Sequence, residues 1–468
     1  MARRGEVERA DAGQTSAEYV GILALVAAIA ALLIAAGPSV GGSVVDGIQR
    51  ALCSITGGDC EARDSETAQP DGSSGDSTLD PGGRGGGDGG AGDDDPDGEP
   101  EPPADRETVD AALEDVKDEL DGGFWGVRSG DLAAIEETLA GLTGPELDAV
   151  IATLSDDELE HLFDELDDGW FGSGWDFERR RAFLNMLASK ASPETIDRLN
   201  EFTDELQPSF SEVGGDDAAD DPDNPVADAD YGEVPHELFV VGEDDDTAIH
   251  PNDVDQGAIG DCWIMAAMTS VAQENPRIIE DMIRRNENGT YTVTFHDGDD
   301  EVEITVTADV PVDSDGEPIF AEFPHSGVDQ NGSDYELWPA IIEKAYARYR
   351  GDYREIEGGR AEEALEAMTG VPSESHDMDD LSLEELADIH SAGGAITMSS
   401  LDDADETDYY SDGLLVPGHA YYVTDINEEA GTITIRNPWG FHIDPLTLTL
   451  EEYRENFDRI GTNPLAED

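Results

Sequence analysis

Gln256-Gly257-Ala258-Ile259-Gly260-Asp261-Cys262-Trp263 runs straight into the apolar stretch Ile264-Met265-Ala266-Ala267-Met268. The apolar run reads as a buried helix with Cys262 at its start. The chain has three cysteines; Cys53 and Cys60 lie together near the N-terminus, so Cys262 is left over. A thiol at a helix N-terminus feels the positive end of the helix dipole, which favours the nucleophilic thiolate. A lone cysteine ahead of an apolar run is more often a small core residue. Gln256 changes that reading. Across two glycines that let the backbone fold back, its amide can donate, beside the Cys262 backbone N–H, to an oxyanion forming on a carbonyl.

Nucleophilic cysteine chemistry needs an imidazole to exchange protons with the thiol and a group that orients that ring. Most of the nine histidines read as incidental: His161 sits on a charged helix, and His236, His250 and His325 flank proline-containing turns. His419 stands apart, in Pro417-Gly418-His419-Ala420-Tyr421-Tyr422-Val423, a turn leading into a strand. A histidine there is otherwise a satisfied structural residue. Further on, Ile433-Thr434-Ile435-Arg436-Asn437-Pro438-Trp439-Gly440 reads as a strand ending in an amide, a proline and a tryptophan.

The three segments resemble, in order, the active-site signatures of calpain-type cysteine proteases: Gln-Gly-x-x-Gly-Asp-Cys-Trp, Gly-His-Ala-Tyr and Arg-Asn-Pro-Trp-Gly. Papain relatives carry a second Cys and a Ser where Ile259 and Asp261 stand here, so the kinship is to calpains. The resemblance implies an α+β, papain-like core, with a helical subdomain bearing Cys262 and a β-rich subdomain bearing His419 and Asn437. Carried over residue by residue, Cys262 is the nucleophile, His419 the general acid/base, Asn437 its orienting partner and Gln256 the oxyanion donor. Trp439 shields the His–Asn hydrogen bond. Glu336 to Ala347, Glu357-Gly358-Gly359, Glu363-Ala364-Leu365 and Thr369-Gly370 are also similar to the family, and the likeness covers about residues 236–468. Trp338, Ile341, Ile342, Ala345 and Tyr349 recur at helical spacing, which core packing explains by itself. One departure is the absence, after Trp439-Gly440, of the Trp-rich insertion common in animal calpains.

Protein or peptide substrates follow from the same resemblance. No cofactor is required for the chemistry. Ca2+ remains an option, because Asp253 stands where calpain cores often place a calcium-binding carboxylate. Asp93, Asp95, Asp97 and Gly98 begin an EF-hand loop, but Ala104 stands where its closing Glu belongs. Acidic runs are usually solvated surface.

The N-terminus carries a separate signal. No charged residue occurs between Tyr19 and Val45, and Val20 to Ala36 is almost wholly aliphatic. With its flanking small residues this stretch reads as a single membrane helix. A secretory signal peptide is the rival, although the leader 1–13 is not net basic. Gly13-Gln14-Thr15-Ser16-Ala17-Glu18-Tyr19 resembles the processing site of Flp-type (tight-adherence) pilins, cut after the glycine. The implied topology is single-pass in the cell membrane, with the catalytic domain extracellular. In an oxidising compartment Cys53 and Cys60 would close a disulfide across a flexible loop, against the alternative of two reduced thiols in a stalk.

The organisation read from these features is a leader (1–13), a pilin-like membrane segment and stalk (14–60), a disordered acidic linker (61–106), a helical domain (107–207), a second acidic linker (208–235) and the catalytic domain (236–468). Residues 107–207 carry capping patterns at Thr143 to Glu146, Ser155 to Glu158 and Ser192-Pro193, and an apolar stripe at Leu147, Val150, Ile151 and Leu154. This small all-α domain is either a spacer or a docking module, with Trp125, Trp170, Phe171 and Trp175 as its contact residues. The net charge of −86, from 25 basic against 111 acidic residues, excludes nucleic acid as a partner. Only Lys117, Lys190 and Lys344 are lysines, a balance that suits a high-salt setting. The reading is a membrane-tethered calpain-like cysteine endopeptidase; the alternatives are a pilin-like surface or binding protein with an inactive protease core, and a cytoplasmic protease.

Overall fold

Between Arg106 and Asn200, leucine-rich stripes alternate with capping residues, and the computed structural model forms helices from each stripe. It describes residues 103–465, apart from 122–126, 168–173, 204, 216–223, 225, 228, 235–236, 241–246, 299, 323–335 and 403–406. The helices are α1 (Arg106–Leu120), α2 (Ser129–Ala140), α3 (Gly144–Thr153), α4 (Asp156–Asp167), α5 (Phe177–Ala188) and α6 (Pro193–Asn200). Their starts are fixed by side chains that satisfy the free N–H groups of the first turn. Asp105 accepts from the Thr108 N–H, Asp176 from Arg179 and Ser192 from Thr195, and Thr143 with Glu146 closes a capping box. Leu132, Ile135, Leu139, Leu147, Val150 and Phe183 close a core of their own.

Trp175 belongs to that core and not to a contact surface. It is buried, meets the Phe183 ring edge-on and carries the Arg179 guanidinium over its face at 3.9 Å. Trp125, Trp170 and Phe171 lie outside the described residues. The helices do not hang free as a spacer. Buried Arg348 of the C-terminal part donates from Nε to the Glu205 carbonyl at 2.8 Å and from Nη1 to Asn185 Oδ1 at 2.8 Å, and Asn185 Oδ1 also accepts the Thr305 N–H at 3.0 Å. The acidic connector that follows is tied down too. Val213 and Val226 are buried in the core of the C-terminal part, and β1 (Asp230–Gly232) pairs with β6 (Val310–Val312).

The C-terminal part of the chain has the mixed α+β character implied by the motifs. Its first half centres on α7 (Cys262–Glu274), buried all round from Trp263 to Ala272, as a helix apolar on every face must be. Around it stand α8 (Pro276–Met282), α9 (Trp338–Arg350), α10 (Ala361–Thr369) and an antiparallel sheet of β3 (Ile283–Arg285), β4 (Tyr291–Asp297) and β5 (Asp300–Val306). A short ribbon of β2 (Asp255–Gln256) and β7 (Ala321–Glu322) leads into the nucleophile loop.

The second half is a six-stranded antiparallel sheet in the order β12-β11-β10-β9-β13-β8. The strands are β8 (Glu374–Asp377), β9 (Ala395–Ser400), β10 (Ala420–Asn427), β11 (Thr432–Arg436), β12 (Leu446–Thr449) and β13 (Phe457–Asn463). Ile396, Met398, Val423, Ile433, Ile435 and Leu448 form its buried face. Hydrophobic alternation and closely spaced turns explain the antiparallel pairing.

Among the described residues no helix is long and apolar enough to cross a membrane. The expected leader, membrane segment and stalk with Cys53 and Cys60 lie outside the described residues.

Candidate active site

Of the two glycines ahead of Cys262, Gly257 is required because backbone passes close, whereas Gly260 has open space beside it. A Cβ on Gly257 would overlap the carbonyls of Ile319 and Phe320. The loop is then pinned from behind by the segment before α10. The Gly358 N–H donates to the Gly260 carbonyl at 2.8 Å, and the Trp263 indole N–H donates to the Ile356 carbonyl at 3.0 Å. Gly359 packs on the indole face so tightly that a Cβ there would overlap the ring. Cys262 thus begins α7 in a loop braced on two sides.

His419 enters at the start of β10 after Gly418, whose φ of +59° only glycine adopts readily. Its backbone N–H donates to Ser400 Oγ at 2.9 Å, and the Ser400 N–H donates to the His419 carbonyl at 2.9 Å, so β9 clamps this position. Asn437 follows β11. Its Oδ1 lies 2.8 Å from His419 Nε2 and also accepts the Trp439 backbone N–H at 3.1 Å. Because Oδ1 can only accept, Nε2 carries the ring proton and Nδ1 is left for the thiol proton. Trp439 lies tilted over the imidazole, and Tyr421 meets it edge-on at a centroid distance of 5.1 Å.

The two halves meet at this point. The Ala420 backbone N–H donates to Cys262 Sγ at 3.4 Å, and the Gln256 backbone N–H donates to the Pro438 carbonyl at 2.9 Å. Between them opens a cleft of about 580 Å3, lined by Gln256, Gly260, Cys262, Glu322, His419 and Trp439 among others. Gln256 Nε2 donates one hydrogen to the Ile259 carbonyl at 2.8 Å, which leaves its second N–H for a ligand.

Electrostatics correct one expectation. The helix N-terminus does not by itself hold a thiolate, because burial pushes the Cys262 thiol up to about 11, partly offset by the Ala420 N–H. Burial also lowers the His419 imidazole below its ordinary range, with the Asn437 hydrogen bond opposing it. Each lone charge is disfavoured in this dry site, whereas a thiolate–imidazolium pair carries no net charge.

Asp253, the residue marked for calcium, is engaged otherwise. Its Oδ2 accepts the Trp338 indole N–H at 3.1 Å and the His250 backbone N–H at 2.6 Å. Calcium takes six to eight oxygen ligands. Among the described residues no group of three or more His, Cys, Asp or Glu side chains gathers to hold a metal.

Some participants carry no motif signal. Ser400, which clamps His419, sits in an ordinary strand, and Glu322 reaches the cleft only because β7 pairs with β2. Asp261 and Glu343 are buried side by side, although in the sequence each reads as family spacing or helix filling.

A cysteine at a helix N-terminus, opposed across a cleft by a His–Asn pair on a sheet, defines the architecture of the cysteine proteases. Residues 235–444 match the profile of the calpain family cysteine proteases. The chain is similar to a calpain-type cysteine protease of Oryza sativa subsp. japonica, with 34% identity over 44% of this chain and 10% of that protein. A calpain-type cysteine protease of Zea mays is 34% identical over 42% of this chain and 9% of its own length. The calpain-2 catalytic subunit of Gallus gallus is 33% identical over 40% of this chain and 28% of its own. The chain therefore spans about a tenth of the plant relatives and just over a quarter of the animal one.

Proposed function

We propose that this chain is a cysteine endopeptidase that cleaves peptide bonds through Cys262, His419 and Asn437. The observation that carries the reading is the 2.8 Å contact between His419 Nε2 and Asn437 Oδ1, in the same cleft as Cys262. His419 Nδ1 takes the thiol proton as Sγ bonds to the substrate carbonyl carbon. The oxyanion so formed accepts from the Gln256 amide and the Cys262 backbone N–H. The proton then passes from His419 to the leaving amine nitrogen as the C–N bond breaks, leaving a thioester. A water, deprotonated by His419, attacks the thioester, and the acid product departs as the proton returns to sulfur. Trp439 over the imidazole keeps bulk water from the His–Asn bond.

The uncharged stretch from Tyr19 to Val45 supports a membrane tether, and the pilin-like leader supports an extracellular catalytic domain on that tether. Calcium has only the family resemblance behind it, and no step is routed through it.

The test is casein cleavage by the full chain and by Cys262→Ala, with calcium and with chelator. Cleavage by the parent alone supports the reading. No cleavage by the parent at low or molar salt sinks it in favour of a binding protein with an inactive core. Loss of cleavage with chelator would add calcium dependence. Protease treatment of intact cells tests the topology; a protected catalytic domain would overturn the extracellular placement.

A further inference from the structure

Directly behind the cleft lies a set of buried oxygens facing one another without donors. Asp261, the residue before Cys262, is completely buried, and neither of its carboxyl oxygens has a partner in good hydrogen-bond geometry; its own backbone N–H, Glu343 and the Gln256 amide are the groups nearest to it. Glu343 on α9 is 1% exposed; its Oε2 accepts the Ala321 N–H at 3.0 Å, while Oε1 has no donor. The third member is Gln256, whose Oε1 is buried and without a donor while its Nε2 serves the Ile259 carbonyl. Asp261 lies within hydrogen-bonding reach of both Glu343 and Gln256.

Leaving such acceptors unsatisfied costs about 1–3 kcal/mol each. Two adjacent buried carboxyls also cannot both ionise without a cation. The cations on the same helix face elsewhere. Lys344 Nζ donates to Thr307 Oγ1 at 2.8 Å and to Asp309 Oδ1 at 3.1 Å, and Arg348 is committed to Glu205 and Asn185. The other titratable groups facing the pair are the Cys262 thiol and the phenols of Tyr231 and Tyr353; both phenols are buried and held neutral. Among the described residues no cation reaches the pair, and protons on the carboxyls themselves are the donors best placed between Asp261, Glu343 and Gln256.

We propose that Asp261 and Glu343 share protons as a buried carboxyl pair whose O–H groups hold the Gln256 amide in its oxyanion-donating orientation. Glu343 donates to Asp261, and Asp261 donates to Gln256 Oε1, which leaves Nε2 aimed at the Ile259 carbonyl and the cleft. Burial agrees, pushing Asp261 up to about 7 and Glu343 well above the carboxylate range. Both are positioning residues, since they act through Gln256. The inference rests on the peptidase reading.

Two rates on the full chain separate positioning from general damage. Peptide cleavage uses an oxyanion; alkylation of Cys262 by iodoacetamide does not. In Asp261→Leu, which removes the donor, kcat/KM for a peptide substrate should fall about 100-fold, the scale of one oxyanion donor. Alkylation should change by less than about threefold. Asp261→Asn keeps a donor toward Gln256 and cannot ionise, so it should rescue cleavage. In the parent the ratio of cleavage to alkylation should fall between about pH 6 and pH 9, and in Asp261→Asn it should stay flat. Unchanged cleavage in Asp261→Leu, or cleavage and alkylation falling together, overturns the proposal. If Asp261→Leu does not fold, the pH comparison decides: a ratio that falls equally in parent and Asp261→Asn, or in neither, overturns it. A parent that alkylates but never cleaves sinks the peptidase reading instead.

Discussion

The Trp439 indole lies over the His419 imidazole, with ring centroids 4.8 Å apart and planes at 51°. Trp439 is still 36% exposed, so it covers the imidazole while part of the indole stays open. Trp439→Ala admits water to the His419–Asn437 hydrogen bond. Its kcat/KM for a peptide substrate should drop about tenfold, equivalent to about 1.4 kcal/mol of transition-state stabilisation. Unchanged kinetics would remove the shielding role.

The Asn437 hydrogen bond raises the His419 pKa against burial, which lowers it. Removing the bond in Asn437→Ala should move the imidazole further down. The acid limb of kcat/KM, where the base becomes protonated, should then shift to lower pH, while the plateau falls by roughly 10- to 100-fold. A limb that moves to higher pH contradicts the assigned sign.

Gly359 touches the Trp263 indole with no space for a side chain. Gly359→Ala should destabilise the protein by about 1–3 kcal/mol through overpacking. Urea unfolding measures this, and a variant as stable as the parent would show that the brace behind Cys262 yields easily.

Asp261 and Glu343 titrate above their unfolded values. For groups with raised folded pKa, the stabilisation is present below the unfolded values, near 4, and is lost as pH rises through the folded ones. Unfolding free energy should therefore decline from about pH 4 to beyond pH 7, by roughly 1.4 kcal/mol per pH unit for each such group. Asp261→Asn should flatten its share of that slope, which separates it from the repulsion among the many surface carboxylates. Identical slopes in parent and variant would refute the assignment.

With a net charge of −86, self-repulsion opposes the compact state and salt screens it. Tm should fall on dilution from molar salt to low ionic strength. A salt-independent Tm would disconnect the acidic surface from a high-salt setting.

The parts of the site readable in the sequence are those where an unusual residue type coincides with a local structural signal. Cys262 opens an apolar helix, His419 follows a turn glycine, and Asn437 comes just after a strand and before proline; the structure brings Cys262 and His419 to one cleft and sets Asn437 2.8 Å from His419 Nε2. The mixed helix-and-sheet architecture is legible for a related reason, since period and turn spacing are local properties. Relationships made only by tertiary packing are not. Glu343 reads as one more position on an amphipathic helix, and nothing local says that its carboxyl meets Asp261. Trp175 reads in the sequence as a candidate contact residue of the helical domain, yet it is buried with Phe183 of α5 edge-on against it. The thiolate expectation erred similarly: a helix terminus is visible in sequence, but the depth at which it is buried is not.

The backbone bond from Gln256 to Pro438 joins the residue proposed to receive the oxyanion to the residue after the one proposed to orient the base. The two demands of the reaction, charge stabilisation and proton transfer, are therefore not independently adjustable. Any force that slides the helical half relative to the sheet misaligns both together, and a displacement of about 1 Å is enough to cost 10²-fold in rate. A shift across this seam is therefore expected to weaken charge stabilisation and proton transfer together.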